Sequence, residues 1–268
     1  MVAAPEARAR VAARVRELAA GYAPPDYAEV PGVDAALFLC AIDHRTGYRE
    51  LHVVDGEGPY SGSALLWALG LSAERRRPGL LSAAGLRGVD AGAVTEMFAV
   101  DGERVAGADV RAALWRDLAA GLGRRYRGEA GALIAACAGR LGGDGGLIAR
   151  LAEFEAFSDP VAKKGYLFAK IAARRGWLEV ADPDGWEVCA DNVLMRLALR
   201  AGLVAPGPLD EVRPATRAAL KEVSCEAGVS PPLLDDLLWE LGRDDPDLLG
   251  SDAGELAEPL RDSASHWY

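Results

Sequence analysis

Apolar residues recur at helical spacing along most of this chain. Before Arg175, the residues Val161, Leu167, Phe168, Ile171 and Ala172 share one helical face. Asp159-Pro160 supplies a capping side chain and a residue suited to the first helical turn. The spacing therefore predicts a helix from Asp159 to Arg175, stopped by Gly176. A second periodic stretch holds Val193, Leu194, Leu197 and Ala198, with Asp191 at the N-cap position and Gly202 as the stop. Further helices are predicted at the N-terminus through Gly21, from Tyr60-Ser61-Gly62-Ser63 through Leu71, and over Gly92–Ala99, Ala108–Leu122, Gly131–Leu141 and Gly146–Phe154. Two more follow over Val212–Ala227 and Pro231–Leu241, the last with Ser230 before Pro231 as a cap.

Two stretches break the helical period. Asp34–Ile42 is continuously apolar, so it is buried, as helix or as strand. It ends in the polar burst Asp43-His44-Arg45-Thr46. Tyr48–Val54 alternates and predicts a short strand before a turn at Gly56, Gly58 and Pro59. No repeat of solenoid period is present.

Half of the 268 residues are hydrophobic, rich in Ala and Leu, which favours a mainly α fold with at most a small β-element in the N-terminal third. The net charge is -10; residues 244–268 hold seven acidic side chains and one Arg, about -6, which leaves -4 for the rest. Neither part has the basic surplus of a duplex DNA binder. Cys40, Cys137, Cys189 and Cys225 are scattered among apolar neighbours without a C-x-x-C pair, so a metal site is not expected. Buried free thiols in a reducing cytoplasm are the plain expectation. The Ala/Arg-rich N-terminus carries Glu6 and Glu17 and reads as a surface helix, and no stretch is apolar enough to span a membrane.

The candidate chemistry lies at Asp191 and at the pair Lys163-Lys164, 28 and 27 residues before it. An Asp at a helix N-terminus is held ionised by the amide dipoles. The two lysines differ by about 100° around a helix, so one of them is expected to face the carboxylate. As a bare pattern, however, such an Asp is most often only a cap, and a Lys-Lys pair is most often a solvated face.

The stretch from Asp191 through Arg196, Arg200, Gly202, Leu203 and Val204 resembles the helix that carries the catalytic Asp in the helix-hairpin-helix DNA glycosylases. The phosphate-gripping Leu-Pro-Gly-Val-Gly-like turn of that superfamily is missing. The chain is more similar to two outlying branches, the archaeal 8-oxoguanine glycosylases and, over roughly residues 34–204, the queuosine salvage family that hydrolyses queuosine 5'-phosphate. The salvage features are an apolar segment ending in Asp43, the Gly58-Pro59-Tyr60-Ser61-Gly62 turn, the Lys163-Lys164 helix start and Ala190-Asp191 before a final helix. The chain departs from that family at His44-Arg45-Thr46-Gly47, where an aromatic run is usual, and at Asn192-Val193, where Tyr-Arg is usual.

The resemblance implies a glycosylase-like helical domain over residues 1–243, with lobes of about 34–155 and 156–243 flanking the site, and an acidic tail from 244 to 268. It implies an N-glycosidase that needs no cofactor, with Asp191 catalytic and held by Lys163 or Lys164, Lys163 being favoured by motif order. Asp43, His44, Arg45, Tyr60, Ser61, Trp186 and Arg196 are the expected substrate contacts. The expected partner is a small nucleoside or 5'-nucleotide. A DNA base-excision glycosylase and a non-catalytic helical binding protein remain the alternatives; the acidic charge and the missing turn weigh against the first of these.

Overall fold

A computed structural model describes residues 5–251 and 265–267. Among these the helices run α1 Pro5–Ala19, α2 Val33–Ile42, α3 Gly62–Arg76, α4 Ala83–Leu86, α5 Ala91–Met97, α6 Ala108–Arg125, α7 Ala130–Ala136, α8 Leu147–Leu151, α9 Lys163–Arg174, α10 Asn192–Arg200, α11 Leu209–Ala227 and α12 Pro231–Gly242. The strands β1 His52–Val54 and β2 Glu57–Tyr60 form one antiparallel hairpin between α2 and α3. The fold is mainly helical with a small sheet, as the period of the apolar residues predicts.

The chain divides into two compact units, Met1–Asp26 with Asp184–Ser265, and Tyr27–Pro183 with His266–Tyr268. The dividing point expected near 155/156 thus falls at 183/184. The cause is α9, which packs on α2 and so belongs with the earlier helices.

In the unit of residues 27–183, α2 is the central element. The continuous apolar run has no solvent face, because α3, α6, α7 and α9 all pack on it and every residue from Ala35 to Ile42 is buried. Leu37, Phe38, Leu39 and Ile42 each contribute about 1.5–3 kcal/mol by leaving water. The helix is fixed along its length by polar contacts. Asp34 accepts the Ala130 amide at 2.7 Å, and the Trp115 indole donates to the Phe38 carbonyl at 2.7 Å. Gly70 of α3 lies where a Cβ would collide with Leu39, so these helices approach closely.

The hairpin turns at Asp55-Gly56, both at positive φ (52° and 85°), the combination that a two-residue hairpin of matching twist requires. His52 and Val54 face inward; Leu51 and Val53 lie exposed. His52 is pinned between two carboxylates, with Nδ1 3.1 Å from Asp101 and Nε2 2.9 Å from Glu103.

The other unit is built from α1, α10, α11 and α12. α1 buries Ala7, Val11, Ala12 and Val15 and sends its basic side chains outward, as a surface helix should. Arg8 pairs with Glu222 and Glu226 of α11. α10 ends before Gly202, whose φ of 69° suits the left-handed residue that closes a helix. Residues 244–251, expected to begin an acidic tail, are tied to α10 by Arg200–Asp247 and bury Leu248 and Leu249. Residues 252–264 and 268 of that expected tail lie outside the described residues.

Candidate functional site

The site grows from the C-terminal end of α2. A helix leaves its last carbonyls unpaired, and cations are favoured there. Lys164 donates to the Ala41 carbonyl at 2.7 Å, and Lys163 lies 3.4 Å from both the carbonyl and the carboxylate Oδ2 of Asp43. Asp43 stands at the C-cap of α2, so one residue offers a backbone and a side-chain acceptor at the same place. Ser63, at the start of α3, donates to Asp43 Oδ1 at 2.7 Å.

The lysines reach this point because α9 begins later than the sequence suggests. The predicted start at Asp159 becomes a turn, with Val161 and Lys163 amides donated to the Asp159 carboxylate. Ala162 then adopts φ 51°, and the helix starts at Lys163. The first turn therefore carries both lysines against α2. The expectation of a solvated Lys-Lys face is overturned: Lys163 is 9% exposed and Lys164 0%. Their angular separation is absorbed by different acceptors, Asp43 for Lys163, and Ala41 with His44 Nδ1 (3.1 Å) for Lys164.

Burial and charge set the ionisation of the group. Burial alone would raise the Asp43 carboxyl, but the Lys163 charge, the Ser63 hydroxyl and Lys164 outweigh it and hold the carboxyl below its usual range. Lys164 is pushed well below an ordinary lysine, first by burial and then by the Lys163 charge. His44 is pushed down by burial, by Lys164 and by Arg111, so its ring stays neutral. Arg111, buried in α6, is itself lowered to about 10 by burial; its guanidinium donates to the carbonyls of His44 and Ala106 and so clamps the turn after α2. The Cys40 thiol is raised by burial and then by Asp43, which leaves it a packing group.

The cluster thus joins an ionised carboxylate, a lysine, a second lysine biased toward the neutral amine, and a neutral imidazole. Such a set can bind an anion, orient a polar ligand and move a proton over a short distance. Among the described residues no group of three or more His, Cys, Asp or Glu could hold a metal ion.

Of the expected site residues, Asp43, His44, Lys163 and Lys164 meet in this cluster. The Arg45 side chain is exposed, and its carbonyl lies 3.4 Å from Arg111. Tyr60 is half-buried, with its hydroxyl 3.5 Å from Glu57. Ser61 is the N-cap residue of α3 but makes no side-chain capping bond. Ser63, two residues later in the same Tyr-Ser-Gly-Ser stretch, is the serine that reaches Asp43. Arg111 was equally absent from the expected set; its only signal in the sequence is a charge on the buried face of a helix.

Asp191, Trp186 and Arg196 belong to the other unit. Asp191 is the N-cap of α10 and accepts the amides of Val193 at 2.9 Å and Leu194 at 3.0 Å. Trp186 is buried. Arg196 donates to the carbonyls of Gly242 and Arg243, closing the end of α12. Cys225, expected to be buried, is exposed in an open groove with Arg8, Glu187, Arg217, Lys221 and Glu222. That groove is filled with balanced ion pairs, Lys221–Glu187 at 2.7 Å among them.

No helix among the described residues is long and apolar enough to cross a membrane. Compared with models of known protein families and with curated proteins, the chain matches none.

Proposed function

We propose that the chain is an N-glycosidase that releases the base from a modified nucleoside or 5'-nucleotide of the queuosine 5'-phosphate type. One observation carries the proposal. The Asp that ends the apolar segment and the Lys pair that opens the later helix, which resemble the salvage family in order along the chain, meet in space as a buried ion pair and its neighbours.

The chemistry asks for few groups. The C1'–N bond breaks with its electron pair on the base, which takes up a proton, and water adds at C1' and gives up a proton. The sugar passes through an oxocarbenium-like state that a carboxylate stabilises. The resemblance gives that role to Asp191. Its position at a helix N-terminus with two amide donors suits a carboxylate that must stay ionised. The resemblance expects Asp43 among the substrate contacts, and within its own unit Asp43 pairs with Lys163. Lys164, with no exposed surface, is a positioning residue that fixes His44 and the end of α2. The mild overall acidity and the absent phosphate-gripping turn favour a small substrate over duplex DNA.

The test is base release, followed by chromatography, from a panel containing queuosine 5'-phosphate, 7-deazaguanosine 5'-phosphate and the parent nucleosides. Asp191→Asn retains a good N-cap, so its melting temperature should stay near wild type while turnover falls about 100-fold or more. An N-glycosidase is ruled out if the wild type releases no base from any member of the panel. If Asp191→Asn melts far below wild type yet keeps its turnover, Asp191 is a structural cap only.

A further inference from the structure

Asp191 is held from both sides of its own Cα. Ahead of it, the Met195 amide donates to its carbonyl at 2.9 Å, and its carboxylate accepts the Val193 and Leu194 amides. An N-cap needs no more than these local bonds. Behind it, the segment Val188–Ala190 is fixed by two charged side chains from other helices of the same unit. Asp235 of α12 accepts the Cys189 amide on Oδ1 at 2.8 Å, and Arg213 Nη2 of α11 donates to the Ala190 carbonyl at 3.4 Å. The Ala190 amide turns back onto the Val188 carbonyl at 3.1 Å.

Asp235 and Arg213 are 4% and 5% exposed, and Val188, Cys189 and Ala190 are buried with them. Burying charge costs desolvation, so a segment that only had to be covered would be served as well by neutral groups. What a carboxylate adds is a shorter, stronger and more directional bond to the amide. The peptide planes on either side of the Asp191 Cα set the direction of its Cα–Cβ bond. The following plane is set by α10, and the preceding one by the segment that Asp235 and Arg213 hold. α12 is itself locked against α10, since a Cβ at Gly242 would collide with the Leu197 side chain.

We infer that Asp235, supported by Arg213, is a positioning residue for the Asp191 carboxylate, acting through the backbone of Cys189 and Ala190. The inference rests on the reading of Asp191 as the catalytic carboxylate. Misplacing a reacting group by about 1 Å can lower a rate about 100-fold, so loss of this support is felt in turnover more than in substrate binding.

The test compares Asp235→Ala, Asp235→Asn and a control, Val15→Ala, by base release, melts and backbone hydrogen exchange. Asp235→Ala should lower kcat about 10–100-fold with KM within about twofold of wild type. Asp235→Asn keeps an oxygen acceptor for the Cys189 amide, so its kcat should stay within about fivefold of wild type. Val15 lies in α1 with no exposed surface, and Val15→Ala should melt earlier with kcat unchanged. In an Asp191→Asn background, Asp235→Ala should cause no further loss of turnover, because the group it positions is already gone. Exchange at the Val193 and Leu194 amides should rise about tenfold in Asp235→Ala, return in Asp235→Asn, and leave α1 as in wild type. Asp235→Glu, which moves the carboxylate by one methylene, replaces Asp235→Ala if the latter does not fold, and should show the same losses. Positioning is overturned if Asp235→Ala keeps its kcat, if Asp235→Asn or Val15→Ala loses as much, or if the double variant loses again in full. A wild type that releases no base would overturn the N-glycosidase alone. Exchange at Val193 and Leu194 then decides the positioning, and rates that ignore Asp235→Ala would overturn it too.

Discussion

Replacing Lys164 by Met removes the most deeply buried amine of the cluster while nearly conserving side-chain volume. Two acceptors lose their donor, the Ala41 carbonyl at 2.7 Å and His44 Nδ1 at 3.1 Å. Each buried acceptor left unpaired costs about 1–3 kcal/mol. Removal of a desolvated amine beside Lys163 offsets part of this, so the net loss is about 2–4 kcal/mol. For a unit of this size that corresponds to a fall in Tm on the order of 5–15 °C. The pH dependence supplies a second handle. The folded Lys164 has a lowered proton affinity, so between its folded and unfolded titrations the unfolded chain binds more protons, and stability from this group rises with pH. The gap between wild type and Lys164→Met should therefore widen from pH 7 to pH 10. Calorimetric melts at both pH values measure it. A variant that melts within about 1 °C of wild type at pH 7, with no change in the gap, would refute a buried, doubly bonded Lys164.

Two histidines should respond to pH with opposite signs. His44 is held neutral in the fold while the unfolded ring takes up a proton near its ordinary value, so wild type should lose stability as pH falls below about 6.5. His44→Asn, whose Oδ1 can take the place of Nδ1 as acceptor, should flatten that limb in urea titrations between pH 7 and 5. His52 is raised by its bonds to Glu103 and Asp101, so its contribution is complete below about 6.5 and is lost as pH climbs through the folded value. Glu103 is lowered chiefly by His52, so the same contact is also lost as pH falls below its unfolded value. His52→Gln should therefore destabilise the protein more at pH 6 than at pH 9, and equal losses at both would refute the charged latch.

Helix content was legible in the sequence because it rests on local periodicity. The apolar faces of α9, α10, α11 and α12 and the Gly202 stop could be found without any partner. Strand alternation and the glycines likewise located the hairpin. A capping role for Asp191 was legible for the same reason, since the amides it accepts lie two and three residues away. The continuous apolar run of α2 announced burial but not its geometry, since a segment covered on every side carries no period.

What the tertiary structure decided is where the charges go. Lys163 and Lys164 look like a solvated pair in sequence, and only the packing of α9 on the end of α2, about 120 residues earlier, turns them into buried donors. The late start of α9 depends on a turn that Asp159 holds, although the same residue reads as an ordinary helix cap. Arg111 and Ser63 carry no motif; they matter because helices distant in sequence bring them to the carbonyls of a turn and to a single carboxylate. Asp235 acts across a similar gap, since the Cys189 amide that it accepts lies 46 residues earlier. Local hydrogen bonds and periodicity can be read along the chain, whereas desolvation and ion pairing depend on which distant elements exclude water together.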